Sequence, residues 1–404
     1  FPGEIFLKIL RMMVLPLIAT SIISSLAQMK SGQASRMGLI TVAYYITTAV
    51  IAACVGMFLV TKIRPGDSLS KKVRHVTSPV EEMEPIDTFL DLLRNMFPDN
   101  IFKATFSRVL TKYDRNGTDI DKNIVDGPGT NILGIIVFCA FFGMVISRKG
   151  PQVRIVTEFF IALFAIIMGY IKAVMWFAPF GIISLIAGNM LEVDDLTGTF
   201  RTLAMYVATV LSGLFFHVLI VNPVLYWLIT RKNPCEVYRT MLHPFMIALG
   251  TGSSGAALPT SIVCLEEMGI DSRIANFIPS FGNTLNLDGQ ALYEAVAVVF
   301  IAQLNGIPLS FLQHIVVCLV ATLGSIGQGP VPAGLVSMMV VLNTLGMPTK
   351  DLALIISVDW LCDRLRTAIN VMGDGFACAI IAHTVWRRSI ELGTPPNEEE
   401  DQNV

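Results

Sequence analysis

The sequence predicts an all-α membrane protein, and its hydrophobicity, its scarcity of charge and its long apolar runs all support this. Of 404 residues, 53% are hydrophobic and 15% are charged, whereas charged residues make up about a quarter of a typical soluble domain. A formal net charge of −2 argues against nucleic acid as a partner. The seven cysteines form no CxxC pair, so neither a zinc site nor a disulfide framework is indicated.

The first two apolar runs, residues 5–29 and 38–60, are each long enough to cross a bilayer core of about 30 Å. Lys30 and Arg36 lie between them and predict a cytoplasmic turn, because basic residues accumulate on the cytoplasmic side of a membrane. Since Phe1 opens directly into an apolar run, we expect that a first membrane helix is missing from this chain.

A polar stretch at roughly 63–128 follows, and its segment 86–106 is amphipathic and expected near the membrane surface. Asn116 begins an Asn-Gly-Thr glycosylation sequon, and its use would place this loop outside the cell.

Apolar runs return at about 131–147, 155–192 and 200–229. Basic residues follow the first and third runs and acidic residues follow the second, a pattern that indicates successive crossings of the membrane. The middle run exceeds one crossing and contains Pro179, so a tilted or kinked helix is expected there.

Two interruptions rich in Ser, Gly and Pro, residues 250–260 and 324–335, lie in apolar surroundings with arms too short to cross fully. They are typical of re-entrant hairpins, which are tolerated where protein or an aqueous cavity satisfies the backbone. Each precedes a helix with a polar signature, at 286–289 and 370–374 respectively, which suggests an internal repeat. Broken segments at matching places in two halves point to the binding site of a transporter. The alternative is two loops between ordinary helices.

The stretch 358–378 carries five charges in this apolar chain. A charge at mid-bilayer costs at least about 2.5–3.5 kcal/mol, so such residues are usually paired and functional. At about 100° per residue, five polar residues share one helical stripe: Asp359, Asp363, Arg366, Asn370 and Asp374. The opposite face is apolar, which argues against an exposed helix of a soluble domain.

These residue types suit a zwitterionic ligand and a cation. Asp363 can hold an ammonium group, and Arg366 can take a carboxylate with two parallel hydrogen bonds. Sodium prefers hard oxygen ligands. Four side chains offer them: Asn286, Asp288, Asn370 and Asp374. The backbone carbonyl groups at Gly282, Gly289 and Gly373 could serve as additional ligands.

Glu294 is an isolated carboxylate in an apolar helix and a candidate proton carrier, because burial disfavours its charged form. The alternative is that it pairs with an arginine such as Arg364. The five histidines have no metal-ligand spacing, and neither a hydrolytic set nor a phosphate-binding loop is present. We therefore expect neither an enzyme nor a transporter driven by ATP.

Five segments together closely resemble the glutamate transporter family, the sodium-coupled dicarboxylate amino acid transporters, and within it the eukaryotic excitatory amino acid transporters. They are FPGEIFLKIL, TGSSGAALP, GNTLNLDGQALYEA, SIGQGPVPAG and VDWLCDRLRTAINVMGD, and the resemblance covers nearly the whole chain. It implies an elevator-type transporter with inverted repeats, two re-entrant hairpins and two partly unwound helices. It also implies a homotrimer in the plasma membrane, with a cytoplasmic C-terminus.

The resemblance implies import of glutamate or aspartate driven by Na⁺, with H⁺ co-transport, K⁺ counter-transport and an uncoupled Cl⁻ conductance. It divides the chain into scaffold and early helices (1–62), an extracellular loop with an interfacial helix (63–130), scaffold and trimerisation helices with a sixth helix (131–230), a transport core (231–386) and a cytoplasmic tail (387–404).

The resemblance also implies functional roles for the residues at positions that match the family's motifs. The substrate residues are Ser253, Ser254, Gln290, Val331, Asp363, Arg366, Thr367 and Asn370. The first sodium site is Gly282, Asn286, Asn370 and Asp374; the second is Thr284, Leu287, Ser325 and Ile326; the third is Tyr45, Thr48, Asn286 and Asp288. Glu294 and Arg364 match the residues linked to proton and potassium coupling.

Three departures from the family pattern keep alternatives open. Gln290 stands where the family usually has a threonine, Ala49 replaces a hydroxyl residue of the third sodium site, and Pro330 stands where glycine is usual. The number of sodium sites is therefore two or three. A transporter of a neutral amino acid or a dicarboxylate is one alternative function, and a mainly anion-conducting channel or receptor is another.

Overall fold

The computed structural model describes residues 2–27, 33–67, 85–116, 119–177, 180–181, 183–184, 187, 196–328, 338, 341–342, 347 and 351–391. Helices dominate this part of the chain. They are α1 Pro2–Ala27, α2 Gln33–Ile63, α3 Pro85–Met96, α4 Ile101–Ala104, α5 Ile132–Lys149, α6 Arg154–Trp176, α7 Leu196–Phe216, α8 Asn222–Thr230, α9 Cys235–Thr251, α10 Ser254–Glu267, α11 Ser272–Leu285, α12 Asp288–Leu304, α13 Phe311–Gln328 and α14 Leu352–Glu391. A 3₁₀ turn, Gly150–Val153, joins α5 to α6.

Within the described ranges, five helical stretches are long and apolar enough to cross a membrane. They are Met37–Ile63, Leu133–Tyr170, Thr197–Thr230, Ser272–Leu304 and Leu354–Thr384. The prediction of a mostly helical membrane protein is therefore confirmed. The expected kink near Pro179 lies outside the described residues, because α6 is followed as far as Trp176.

The polar stretch between α4 and α5, expected to be part of a loop, folds as a two-stranded antiparallel sheet, so the all-α prediction is wrong for this segment. Strand β1, Ser107–Asn116, pairs with β2, Asp119–Pro128, in a register that sets Asn116 opposite Asp119. Gly117 and Thr118, between the strands, lie outside the described residues, and glycine next to Asn116 is a common signal for a hairpin turn. The same Asn-Gly dipeptide is also the start of the predicted glycosylation sequon.

The first Ser/Gly-rich interruption is a sharp turn between two helices. Helix α9 ends at Thr251, and Gly252 has a φ of +64°, a backbone conformation that favours glycine. Ser253 then caps α10, its hydroxyl accepting the N–H of Ala256 at 3.3 Å. After α10, Asp271 caps α11, and the hydrogen bonds that it accepts from Arg273 hold the pKa of its carboxyl below the usual value.

The helical backbone breaks between α11 and α12, at Asn286 and Leu287, so one of the two expected unwound segments is present. Asn286 has φ −85° and ψ 83°, and its N–H donates to the carbonyl oxygen of Gly282 at 2.7 Å to close α11. Helix α12 restarts at once and is buried along its length from Asp288 to Ala302. It is packed by α2, α7, α13 and α14.

The second expected unwound segment is absent, and that prediction is wrong. Helix α14 runs unbroken for 40 residues through Asn370–Asp374. Its glycines allow close packing rather than a change of backbone direction. A Cβ on Gly375 would lie 2.4 Å from Cγ of Met241 in α9, and one on Gly373 would lie 3.1 Å from Nδ2 of Asn286. The second Ser/Gly/Pro-rich interruption, beyond Gln328, lies outside the described residues.

Candidate functional site

The centre of the site is the guanidinium of Arg366 on α14, which is only 2% exposed. Its Nη2 lies 2.8 Å from Oδ1 of Asp363 and 3.3 Å from Oδ1 of Asp359. Its Cζ lies 3.9 Å from the ring centroid of Tyr293 on α12, a cation–π contact. Nη1 is buried and has no hydrogen-bond partner among the described residues. Because a buried donor of this kind needs an acceptor, the guanidinium is suited to one further anion.

The turn between α9 and α10 lies beside this cluster. Nη1 of Arg364 donates to the carbonyl oxygen of Gly250 at 2.7 Å. A Cβ on Gly252 would lie 3.9 Å from Oδ2 of Asp363, so the turn approaches the carboxylate closely. Ser253 and Ser254, predicted to contact substrate, thus begin a helix whose N-terminus lies near Asp363.

Asn370 links α14 to the break between α11 and α12. Its Oδ1 accepts the N–H of Gly289 at 2.9 Å, and its carbonyl oxygen lies 3.3 Å from Nδ2 of Asn286. Thr367 donates to the carbonyl oxygen of Asp363 at 2.8 Å, within its own helix. The stripe predicted from helical periodicity therefore exists, and it faces inward at Arg366, Asn370 and Asp374, all of which are buried.

The four residues of the predicted first sodium site converge. Oδ1 of Asp374 accepts from Nδ2 of Asn286 at 2.8 Å. Gly282 provides the space for this carboxylate, since a Cβ there would lie 2.0 Å from the same oxygen. The Asn370 carbonyl oxygen is the nearby fourth group. Carboxylate, carbonyl and carboxamide oxygens of this kind are hard ligands that suit an alkali cation.

Residues of the predicted third sodium site also lie close together, and the site itself stays a prediction. Thr48 of α2 donates to Oδ1 of Asp288 at 3.0 Å, and the Tyr45 hydroxyl lies 3.4 Å from Oδ1 of Asp374. His217, which the sequence analysis set aside, lies 3.1 Å through Nε2 from Oδ2 of Asp288. Asp288 therefore has polar contacts on both carboxylate oxygens.

The predicted second sodium site stays a prediction. Ser325 and Ile326 lie near the end of α13, where the Ser325 hydroxyl donates to the carbonyl oxygen of Thr322 at 2.8 Å. Leu287 lies in the α11–α12 break, and the side chain of Thr284 is outside the described residues.

Gln290 and Glu294 contact one another one turn apart on α12. Nε2 of Gln290 donates to Oε1 of Glu294 at 2.7 Å, and both side chains are buried. The roles predicted for them, in substrate binding and in proton coupling, stay predictions. Val331 lies outside the described residues.

Four polar residues near these sites received no functional role from the sequence: Asp359, Tyr293, His217 and Asn222. Asp359 belonged to the predicted stripe but received no role. Tyr293 precedes Glu294 in an apolar helix, where nothing in one sequence indicates a partner on α14. His217 and Asn222 are polar residues inside a membrane-length run, and polar groups in such runs are usually functional.

Comparison with known proteins identifies the family of this chain. The sequence pattern of the Sodium:dicarboxylate symporter family matches residues 1–384. The chain is 49% identical over 402 residues to the putative sodium-dependent excitatory amino acid transporter glt-6 of Caenorhabditis elegans, an alignment that covers 96% of this chain and 74% of that protein.

Mammalian relatives are similar along the same length. Identity is 42% over 411 residues to excitatory amino acid transporter 3 of Mus musculus, covering 94% of this chain and 78% of that protein. It is 38% over 416 residues to excitatory amino acid transporter 2 of Homo sapiens, covering 95% and 72%. The expectation that the chain is not an enzyme agrees with these relatives. The chain therefore belongs to the sodium:dicarboxylate symporter family and is a membrane transporter.

Proposed function

We propose that this protein is a sodium-driven secondary-active importer of acidic amino acids, glutamate or aspartate. The observation that carries the proposal is the buried Arg366, whose Nη2 is held by Asp359 and Asp363 while Nη1 has no partner in the described part of the chain. A buried guanidinium with a spare donor can bind the side-chain carboxylate of the substrate.

The ammonium group of the same substrate would bind Asp363. A bound acidic amino acid would bring its own ammonium group to Asp363 and its own carboxylate to Arg366, so each buried charge remains paired. This matters because an uncompensated charge at this depth is strongly destabilising. A neutral amino acid would satisfy Asp363 and leave the spare donor of Arg366 unused.

Sodium would be carried as a second substrate at the two clusters centred on Asp374 and Asp288. Their oxygens belong to the elements that also hold Arg366 and Asn370, so ion and amino acid would bind to one framework. The family description and the names of the relatives support sodium coupling.

The finer features are proposed on the family match. They are elevator motion within a homotrimer of the plasma membrane, proton and potassium coupling through Glu294 and Arg364, and a chloride conductance. The loop 63–128 would be extracellular, with Asn116 glycosylated, and the C-terminus cytoplasmic.

Uptake into proteoliposomes tests the proposal. Labelled aspartate, glutamate and serine are presented with an inward sodium gradient, with and without internal potassium. Wild-type protein should accumulate the acidic substrates. Arg366→Met should reduce their kcat/KM by about 100-fold or more, because breaking a buried ion pair costs about 3–5 kcal/mol.

The matched control is Arg273→Met, which removes an exposed arginine paired with Asp271 and should leave uptake unchanged. Wild-type affinity for aspartate or glutamate in Arg366→Met would refute the assignment. Preferential uptake of serine by the wild type would favour the altered substrate suggested by Gln290. Substrate-evoked current without accumulation would favour a channel.

A further inference from the structure

A π-helical turn lies next to the proposed cation sites. Residues His217–Val221 form this turn between α7 and α8, and Asn222 donates its backbone N–H to the carbonyl oxygen of His217, five residues earlier. Pro223 follows and has no N–H to offer. Such bulges occur frequently at functional sites. This one places His217 against Asp288 at the start of α12, and Asn222 against Gly373 of α14.

The side chain of Asn222 is 1% exposed, and its Nδ2 has no hydrogen-bond partner among the described residues. Leaving a buried amide donor unpaired is unfavourable, so a position of this kind requires an explanation. A leucine would fill a similar volume in an apolar helix without that cost. The carboxamide is therefore expected to bind something that the protein atoms alone do not provide.

The neighbours of Asn222 identify the chemistry. A Cβ placed on Gly373 would lie 3.8 Å from Nδ2 of Asn222 and 3.1 Å from Nδ2 of Asn286, so both carboxamides pack against Gly373. Oδ1 of Asn286 is likewise buried without a partner in the described structure. Nδ2 of Asn286 is in turn 2.8 Å from Oδ1 of Asp374, in the proposed first sodium site.

We propose that Asn222 is a further binding residue of the cation site of Gly282, Asn286, Asn370 and Asp374, and that it holds a water molecule that remains on the monovalent cation. The inference rests on the proposed function, because it adds a residue to that sodium site. An unpaired donor on Asn222 and an unpaired acceptor on Asn286 are complementary to one water, which needs two to four polar partners. The lone pair of that water would face the cation.

Thermal unfolding of the purified full chain in detergent tests the inference without transport. Sodium chloride replaces choline chloride at constant ionic strength, and the melting temperature is followed for wild type, Asn222→Leu and Asn222→Asp. A ligand that binds only the folded state raises the melting temperature with its concentration.

In choline, Asn222→Leu should melt no lower than wild type, because it removes an unpaired buried amide. Its half-saturating sodium concentration should be about tenfold higher. Asn222→Asp should instead reach half-saturation at less sodium, because it adds a carboxylate beside the cation. The control Asn276→Ala, at an exposed asparagine of α11, should leave half-saturation unchanged.

A packing role predicts the opposite for the leucine variant: a lower melting temperature in choline and wild-type sodium dependence. That result would overturn the inference and leave the proposed function intact. If the leucine variant cannot be recovered, unchanged sodium dependence in Asn222→Asp overturns the inference equally. If wild type gains no stability from sodium, the sodium site itself fails, and the role of Asn222 fails with it.

Discussion

Replacing Gly282 by alanine should displace the carboxylate of Asp374 and weaken sodium binding. The new Cβ would lie 2.0 Å from Oδ1 of Asp374 and 2.5 Å from the Tyr45 hydroxyl. Non-bonded contacts of this kind require about 3 Å or more, so the carboxylate must move by about 1 Å. That movement breaks its 2.8 Å hydrogen bond with Asn286. A hydrogen bond to a charged group contributes about 1.5–3 kcal/mol, which corresponds to roughly 10- to 150-fold in affinity.

Sodium-dependent uptake of labelled aspartate measures this change. Half-saturating sodium should rise by at least about tenfold in Gly282→Ala, and KM for aspartate at saturating sodium should change less. Gly169→Ala is the matched control, because a Cβ on that helical glycine of α6 meets nothing within 4 Å. Wild-type sodium dependence in Gly282→Ala would refute the placement of a cation at this carboxylate, whatever its effect on stability.

Three further predictions concern stability and topology. His217→Leu removes a 3.1 Å contact from the buried carboxylate of Asp288 and should lower the melting temperature in choline by several degrees, whereas His243→Leu, at an exposed site, should not. Gln303→Leu loses two hydrogen bonds of 3.1 Å that join α12 to the end of α2 and should destabilise the protein by about 2 kcal/mol. Asn116→Gln should abolish a glycosidase-sensitive shift in gel mobility after expression in eukaryotic cells.

Each of these has a contrary outcome. Equal melting temperatures for the two histidine variants would show that the contact with Asp288 contributes nothing to stability. An unchanged unfolding transition in Gln303→Leu would remove the proposed link between the two helices. A wild-type protein that runs at its unmodified mass would contradict glycosylation, and with it the support for an extracellular loop.

Helical periodicity explains why the centre of the site could be predicted. The spacing of Asp363, Arg366, Asn370 and Asp374 specifies one face of a helix, provided that the helix is continuous. Low overall charge then indicates that this face is buried, because charges in apolar chains are costly unless paired. Both conditions hold in the structure.

Contacts between distant segments could not be predicted in the same way. Nothing local indicates that His217 lies against Asp288, 71 positions away, or that Tyr293 lies under Arg366. The misassigned segments have local causes. The family resemblance implied a second unwound helix, but the glycines of α14 serve close approaches, Gly373 to Asn286 and Gly375 to Met241. The β-hairpin could not be predicted because the alternation of apolar and polar residues in its two strands is weak.

The continuity of α14 has a mechanical consequence. Arg366 and Asp374 are eight residues apart, about 12 Å along a helix axis. A continuous helix fixes the separation of these two side chains, so a displacement of one would also displace the other. Binding of the amino acid and binding of the ion would then depend on the same helix. A bend introduced between Arg366 and Asp374 would uncouple the two binding events while leaving each pocket locally intact.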